Sequence, residues 1–388
     1  MNRQKVINSI RNVILSQFIE SERIPITTFS WSKLKKEVYE YSNHEFYNPS
    51  LHKIILPSEA RAMKYLLEPL VISKPYYFIE KNAKLFGLIP LVVDKNHDLI
   101  LEALPQSPPS PSEFYKQINS SLFLKQKLLR NWHKPKNKPK TIEQGVVLTN
   151  AYSHNYYHFI FDSLLKMITI NQALKDNNVN RNQLKYIVNS KASNWLKQYI
   201  DLLGISKDSL VFIEEGEEIK VNNLVVPSPR RFKHSCSKEA ASYLKQLIYA
   251  NIKPNPSELI AEKLIYISRE GAQTRKVLNE NELVKTLKPI GFETVKLEEL
   301  CVEEQIKLMA KTKLICAPHG AGLSNLIFCN QSPRLVELLP SDEYGLSHYL
   351  GLCASLDGEY RAVFGNWSDH KNNFTVDVQQ VVTAIKSK

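Results

Sequence analysis

From Leu264 to Phe364, short apolar runs alternate with amphipathic runs of helical length. LIYIS (264–268), ETVKL (293–297), KLICA (313–317), RLVELL (334–339) and YRAVF (360–364) have the length and bounds of buried strands. Between them ENELVKTLK, VEEQIKLMA and LSHYLGLCASL read as helices, and KLICA is joined to RLVELL through a glycine turn and the run LSNLIF. Strands that take turns with helices cannot pair as hairpins. They build a parallel sheet covered on both faces, so an open doubly wound α/β layer is expected.

The turn after KLICA is the densest point of this half. Pro318, His319, Gly320, Ala321 and Gly322 lead into LSNLIF, which can open a helix. Small residues at a strand-to-helix turn let backbone come close to a ligand, and the free N–H groups of a helix start favour an anion. His319 adds a donor. The alternative is a turn whose glycines serve packing alone. HGAGLSN lacks the third glycine of a dinucleotide fingerprint, since Asn325 stands there.

A similar rhythm begins at Gly145. GVVLTN, LKYIVN, LVFIEE and LVVPS read as strands, and HFIFDSLLKMITINQAL, NWLKQYIDLLG and KEAASYLKQLIYANI as helices. KPNPSE (253–258) has the composition of a linker, which divides the chain into 1–252 and 253–388. Further upstream, PYYFIE, LFGLIPLVVD and LILEAL suggest strands, with KNHD as a turn. PQSPPSP (105–111) reads as a rigid loop, 112–130 as a helix, and NWHKPKNKPK (131–140) as a basic loop. Residues 1–75 read as short helices and loops.

A chain of 388 residues exceeds one comfortable core, and two domains are expected. The formal charge of +12 points to an anionic partner such as a nucleotide, an acidic glycan, a nucleic acid or a membrane surface, unless it serves solubility alone. Nucleic-acid motifs are missing. The five cysteines are scattered without a CxxC pair, which fits a reducing compartment and no structural zinc. No run is long enough to span a bilayer, and no signal-peptide core stands at the start. Val6, Ile10, Val13, Ile14 and Phe18 share a helical stripe beside Arg3, Lys5 and Arg11. That stripe suits packing on the protein's own core, or a membrane surface.

In open α/β sheets, ligands bind beyond the carboxyl ends of the strands. Arg269, just after LIYIS, and the glycine turn share that rim, and Arg275 and Lys276 follow closely. Arginine there suits bidentate phosphate recognition, or a surface ion pair. Glu337 sits inside a strand that should be apolar. It must be paired, either to a ligand hydroxyl or internally to Arg269 or Lys313. In the first half, His158 and Asp162 share a helix face four residues apart, the spacing of an oriented general base or of a structural pair. His154, Asn155, Tyr156 and Tyr157 lie in the preceding turn. No nucleophile elbow, HExxH, Walker loop, metal-spaced histidine set or DxD pair is present.

These blocks resemble glycosyltransferase family 61. YISREGAQTRKVLNENEL, GFETVKLEEL, EEQIKLMAKTKLICAPHGAGLSNLIF and RLVELLP are similar to its C-terminal half, and HNYYHFIFDSLLKM to its N-terminal motif. The resemblance covers about residues 145–340, and nothing in 1–75 contributes. It departs from the family's pattern at Leu165–Lys166, where a proline is common. The family includes bacterial capsular-polysaccharide enzymes, secretory-pathway O-GlcNAc transferases and plant xylan transferases. It implies a GT-B architecture of two Rossmann-like domains facing a cleft, with the acceptor on 1–252 and the nucleotide sugar on 253–388. It also implies inverting transfer, without a metal or other cofactor, from a nucleotide sugar, usually a UDP-sugar, to a hydroxyl of a growing surface polysaccharide or other glycan acceptor, free or lipid-linked, and the bacterial capsular type is the member expected.

Carried over by motif, the donor side comprises Arg269, Arg275, His319, Gly320, Ala321, Gly322, Ser324, Asn325 and Glu337, with Asn279 and Glu280 in the Arg-rich block. The acceptor side comprises His154, Asn155 and Tyr157. Asp162 oriented by His158, or the reverse, supplies the base, with Asp162 preferred. Without a signal or anchor, a bacterial cytoplasmic enzyme is expected, at most peripheral at the inner face of the plasma membrane. A non-catalytic nucleotide- or glycan-binding protein on the same fold is the alternative, ahead of a nicotinamide oxidoreductase. A nucleic-acid binder comes last.

Overall fold

The computed structural model describes residues 138–387 except 151, 215–216, 233–234 and 342–347. Before residue 138 it describes 29–30, 39–40, 45–47, 54–56, 70–72, 75–86, 91–95, 99–100 and 103. Two sheets organise these residues.

The first sheet is built on β1 (Tyr76–Phe86), β2 (Lys140–Val147), β3 (Leu184–Asn189), β4 (Leu210–Ile213) and β5 (Glu218–Pro227). Its central order is β1-β5-β2-β3-β4. β5, β2, β3 and β4 run parallel, while β1 pairs antiparallel with β5, and the short strand Leu91–Val93 continues antiparallel beyond it. Side chains alternate between its faces. Tyr186, Val188 and Val225 face one buried cluster, and Ile187, Leu224 and Val226 the other. Helices α1 (Met167–Lys175), α2 (Asn194–Leu202) and α3 (Lys238–Ile252) supply residues to the first of these clusters.

The second half adds β6 (Lys263–Ile267), α4 (Glu280–Leu287), β7 (Phe292–Val295), α5 (Val302–Ala310), β8 (Thr312–Pro318), β9 (Arg334–Leu339), α6 (His348–Ser355), β10 (Glu359–Phe364) and α7 (Val378–Lys386). The strands form the order β7-β6-β8-β9-β10, all parallel. Strand order reverses between β6 and β8, the point at which such sheets open a crevice for ligands. Val336 and Leu338 pack under α4 and α7, while Leu335, Leu339 and Ala317 face the first half. Asp377 caps α7 by accepting from the Gln379 and Gln380 N–H groups. The buried cluster on the inner face is continuous across both halves, joining Phe161 and Leu164 to Ile265 and Leu326.

Several expectations are corrected. Residues 158–174 are not one α-helix. A short helical turn (Tyr156–His158) passes into a π segment (Phe159–Ser163), a 3-10 turn (Leu164–Lys166) and then α1. Leu164 N–H reaches back to Phe159 O, the wide turn of a π segment. LSNLIF belongs to a 3-10 helix, Ala321–Phe328, rather than an α-helix. PYYFIE and the following KNAKLF form one strand. In 1–75 most of the described residues form short strands, among them Ile54–Ile55, which adds in parallel to β10 of the second sheet. The linker 253–258 forms part of a 3-10 turn, Pro256–Leu259, tied by Asn255 N–H donating to Glu258 at 2.9 Å. The N-terminal stripe, the loop 105–111, the helix expected over 112–130 and the basic loop up to 137 lie outside the described residues. Among the described residues, no helix is long and apolar enough to cross a membrane.

Candidate functional site

A cavity of about 560 Å³ opens at the switch point. Its floor comes from the ends of β6 and β8, namely Ile267, Ser268, Arg269, Pro318, Gly320 and Gly322. The opposite wall comes from the first half, through Tyr156, Asn194, Trp195 and Gln198. Leu297, Leu300 and Val302, between β7 and the start of α5, close one side. The volume suits a ligand of nucleotide size.

Arg269 reaches across to the glycine turn. A Cβ built on Gly320 would lie 2.2 Å from Arg269 Nη1, and one on Gly322 would lie 2.7 Å from Leu297 Cδ1. Gly320 has φ −173°, ordinary extended backbone, so the need here is space and not a left-handed turn. The glycines therefore admit side chains of the protein itself. Leu323 N–H bonds to Gly320 O, which leaves the Ala321 and Gly322 N–H groups ahead of the first helical bond.

The loop after Arg269 is tied down at several points. Glu280 accepts from Tyr266 OH at 2.7 Å and Ser268 OH at 3.0 Å. Asn279 exchanges two hydrogen bonds with the Val376 backbone. Arg275 is held with φ +60°, a conformation that costs a non-glycine residue of order 1 kcal/mol, by its N–H donating to Lys371 O at 3.0 Å. Its charge acts on the buried Tyr349 phenol, whose pKa burial raises.

His319 and Glu337 are both buried, with Nδ1 to Oε1 at 2.6 Å. Tyr360 OH donates to the other Glu337 oxygen at 2.7 Å. The internal partners of Glu337 are thus His319 and Tyr360, not Arg269 or Lys313. His319 continues the β8 ladder through its N–H to Leu338 O, which sets it above β9. Tyr349 of α6 packs beside its ring at 5.1 Å, and His348 lies at 6.0 Å.

The second cluster sits on the π segment. His158 Nδ1 and Asp162 Oδ2 are 2.8 Å apart. The other Asp162 oxygen accepts from Arg231 Nε at 2.8 Å, and Arg231 Nη2 lies 2.7 Å from it. Burial opposes the Asp162 charge, but Arg231 and then the His158 hydrogen bond outweigh it and hold the carboxyl below its ordinary range. His158 keeps partial exposure and stacks against Tyr152 at 4.9 Å. Arg231 lies over the Tyr157 ring at 5.5 Å, and burial pushes the Tyr157 phenol up to about 12. Tyr157 in turn stacks on His348 at 5.0 Å. Rings therefore link His158 to His319 through Tyr157 and α6.

The remaining candidates are placed differently. Asn155 caps the helical turn, accepting from Tyr157 N–H at 3.0 Å, and His154 is exposed beside it. Ser324 and Asn325 are fully buried and do not line the cavity. Asn325 joins the halves, accepting from Tyr156 OH at 2.6 Å and donating to Gln305 at 2.8 Å. Arg231, Tyr360, His348 and Trp195 were not singled out from the sequence. The pair Arg230–Arg231 beyond the strand LVVPS is the only one that carried a signal, a charge pair at a carboxyl-end rim. Among the described residues, no group of three or more His, Cys, Asp or Glu side chains is arranged to hold a metal ion. All five cysteines are free thiols.

Comparison with known proteins gives several partial matches. An alpha-1,3-arabinosyltransferase of Oryza sativa subsp. japonica is 35% identical over 82 residues, 20% of this chain and 14% of the relative. A beta-1,2-xylosyltransferase of the same plant is 20% identical over 231 residues, 52% of this chain and 48% of the relative. The EGF domain-specific O-linked N-acetylglucosamine transferase of Bos taurus is 34% identical over 79 residues, 19% of this chain and 15% of the relative. The chain thus spans less than half the length of these relatives, and the bacterial capsular direction has no counterpart among them. The family model Glycosyltransferase 61 matches residues 156–336, so a glycosyltransferase 61 domain holds His158, Asp162, Arg231, Arg269 and His319.

Proposed function

We propose that this chain transfers a sugar from a nucleotide donor to a hydroxyl of a glycan acceptor, inverting the anomeric carbon and using no metal. The observation that carries the reading is the cavity at the β6/β8 switch point, with Arg269 laid over Gly320. In this reading UDP is the nucleotide, Arg269 and Arg275 meet the diphosphate charge, and the Ala321 and Gly322 N–H groups add donors. The two sheets are then the two domains of a GT-B enzyme, 1–252 for the acceptor and 253–388 for the donor, with Ile54–Ile55 crossing between them. The relatives' names cover arabinosyl, xylosyl and N-acetylglucosamine transfer, which supports a pentose or hexose donor.

For the base we reverse the preferred roles. Both Asp162 oxygens are engaged by His158 and Arg231, and the carboxyl is held ionised. An oxygen so occupied is a poor proton acceptor. His158 with Nδ1 donating to Asp162 carries its lone pair on Nε2, the arrangement of an oriented general base. His158 takes the proton of the acceptor hydroxyl, the oxygen attacks the anomeric carbon, and the bond to the nucleoside diphosphate breaks on the opposite face. Asp162 and Arg231 are positioning residues.

The test is thermal stabilisation by UDP, GDP, CDP, CMP and NAD with EDTA present, followed by nucleotide release from the matching nucleotide sugar. A nucleoside diphosphate should raise the melting temperature of the wild type but not of Arg269→Ala. His158→Ala should keep that shift and lose turnover by 10²-fold or more. Stabilisation by NAD alone, or a shift retained in Arg269→Ala, would overturn the donor site. Binding without turnover in the wild type would make the chain a binding protein.

A further inference from the structure

The cavity lining has two unlike parts. Arg269 and Gly320 give it a charged part on the second half. Trp195, Leu297, Leu300 and Val302 give it an apolar part, with Glu298 between the two leucines. Trp195 is half-buried, with its ring held edge-to-face by Tyr156 at 5.1 Å and tilted on Phe159 at 5.6 Å. We infer that Trp195, on the first half, is the stacking platform for the donor's nucleobase, so that the donor is read by both halves of the chain. This rests on the donor-site reading above and adds to it a specificity-determining residue.

The direction of the ligand follows from Tyr156 and Tyr157. Tyr156 lines the cavity beside Trp195, whereas Tyr157 points to His158, His348 and Arg231. The reacting sugar must approach the histidine cluster, and the phosphates must meet Arg269. The lining around Trp195 is left for the base. An aromatic face there accepts a base without demanding a particular hydrogen-bond pattern. Asn194, at the first turn of the same helix, lines the cavity and adds an amide to read the base edge.

The wall is fixed in place. Gln198, one turn after Trp195, accepts from the Val302 N–H at the start of α5 at 2.7 Å. Tyr199 contacts Tyr156 OH at 2.8 Å, and Tyr156 is bound to Asn325. Helix α2 is thereby anchored to the second half at two points, and Trp195 stands preorganised in the cavity that Arg269 also lines.

The experiment is a UDP titration by calorimetry of wild type, Trp195→Leu, Trp195→Phe and Arg269→Ala, each checked for its melting temperature without ligand. Leucine keeps apolar packing against Tyr156 and Phe159, and phenylalanine keeps an aromatic face. Trp195→Leu should lose affinity by about five- to a hundred-fold, and Trp195→Phe should recover most of it. Wild-type affinity in Trp195→Leu, with affinity lost in Arg269→Ala, overturns the base platform and leaves the donor site standing. An equal loss in the leucine and phenylalanine variants also overturns it, because packing alone would then explain the effect. No UDP binding by the wild type would overturn the platform and the donor reading together.

Discussion

Gly320 has no room for a side chain because Arg269 already fills it, with Nη1 2.2 Å from where a Cβ would stand. Gly320→Ala is therefore expected to act through Arg269. The backbone tolerates alanine at φ −173°, so the variant should fold. The guanidinium must leave the turn, which removes a charge-assisted contact worth about 1.5–3 kcal/mol to an anionic ligand. Nucleotide affinity should fall by about tenfold or more and match that of Arg269→Ala, with no further loss in the double variant. Calorimetry on the three proteins decides it, and additive losses would show that the glycine and the arginine act separately.

Glu337 is buried with one oxygen on His319 and the other on Tyr360. Removing the carboxylate takes one hydrogen-bond partner from a buried histidine and one from a buried phenol. Glu337→Ala should lower stability by about 3–5 kcal/mol, whereas Tyr360→Phe should cost about 1–2 kcal/mol. Urea unfolding of both variants is the check. A cost below about 1 kcal/mol for Glu337→Ala would mean that the pair is not what holds β8 to β9 at this point.

Both sheets were legible in outline because each parallel strand is a short apolar run closed by turn residues. The rim was legible too, since a strand's carboxyl end can be read from direction alone. What could not be read was partnership. Glu337 lies between His319 and Tyr360 through the parallel register of β8, β9 and β10, and no local pattern encodes that register. The glycine turn was seen, but the side chains that need its space, Arg269 and Leu297, come from elsewhere in the chain. The π segment was missed because Phe159 to Ser163 are buried all round, so periodicity could not separate a wide turn from an α-helix. The two- and three-residue strands before Tyr76 are too short to carry a period at all.

Tyr156 and Asn325 tie the halves together at 2.6 Å, within a cluster that also holds Tyr199 and Gln305. The surrounding apolar cluster runs through both halves without a break. Asn325→Ala leaves the Gln305 carbonyl and two phenols short of a partner, at a cost of about 1–3 kcal/mol. The described parts of the two halves should unfold together, and the variant should shift a single transition instead of splitting it. Hydrogen exchange on strands of each sheet tests this. Protection lost in one sheet alone would show that the halves are separate cooperative units.

Asp162 gives the pH dependence a sign. Its folded-state carboxyl is held below the ordinary value, against burial, by Arg231 and by the His158 hydrogen bond. A depressed carboxylate pKa contributes stability that is fully present above the unfolded value of about 3.9 and is lost as pH falls through the folded value. Asp162→Asn removes this contribution and takes the Asp162 charge away from the buried Arg231 guanidinium. The variant should be less stable than wild type by about 3–5 kcal/mol at pH 7. The gap should hold down to about pH 5 and then narrow, because the carboxyl of the unfolded wild-type chain takes up its proton before the folded one does, while the amide has none to gain. Melting temperatures of both proteins from pH 7 to pH 3 measure it. A gap that stays constant across that range would mean that the Asp162 charge is not what Arg231 and His158 are organised around, and the base assignment built on it would fall with it.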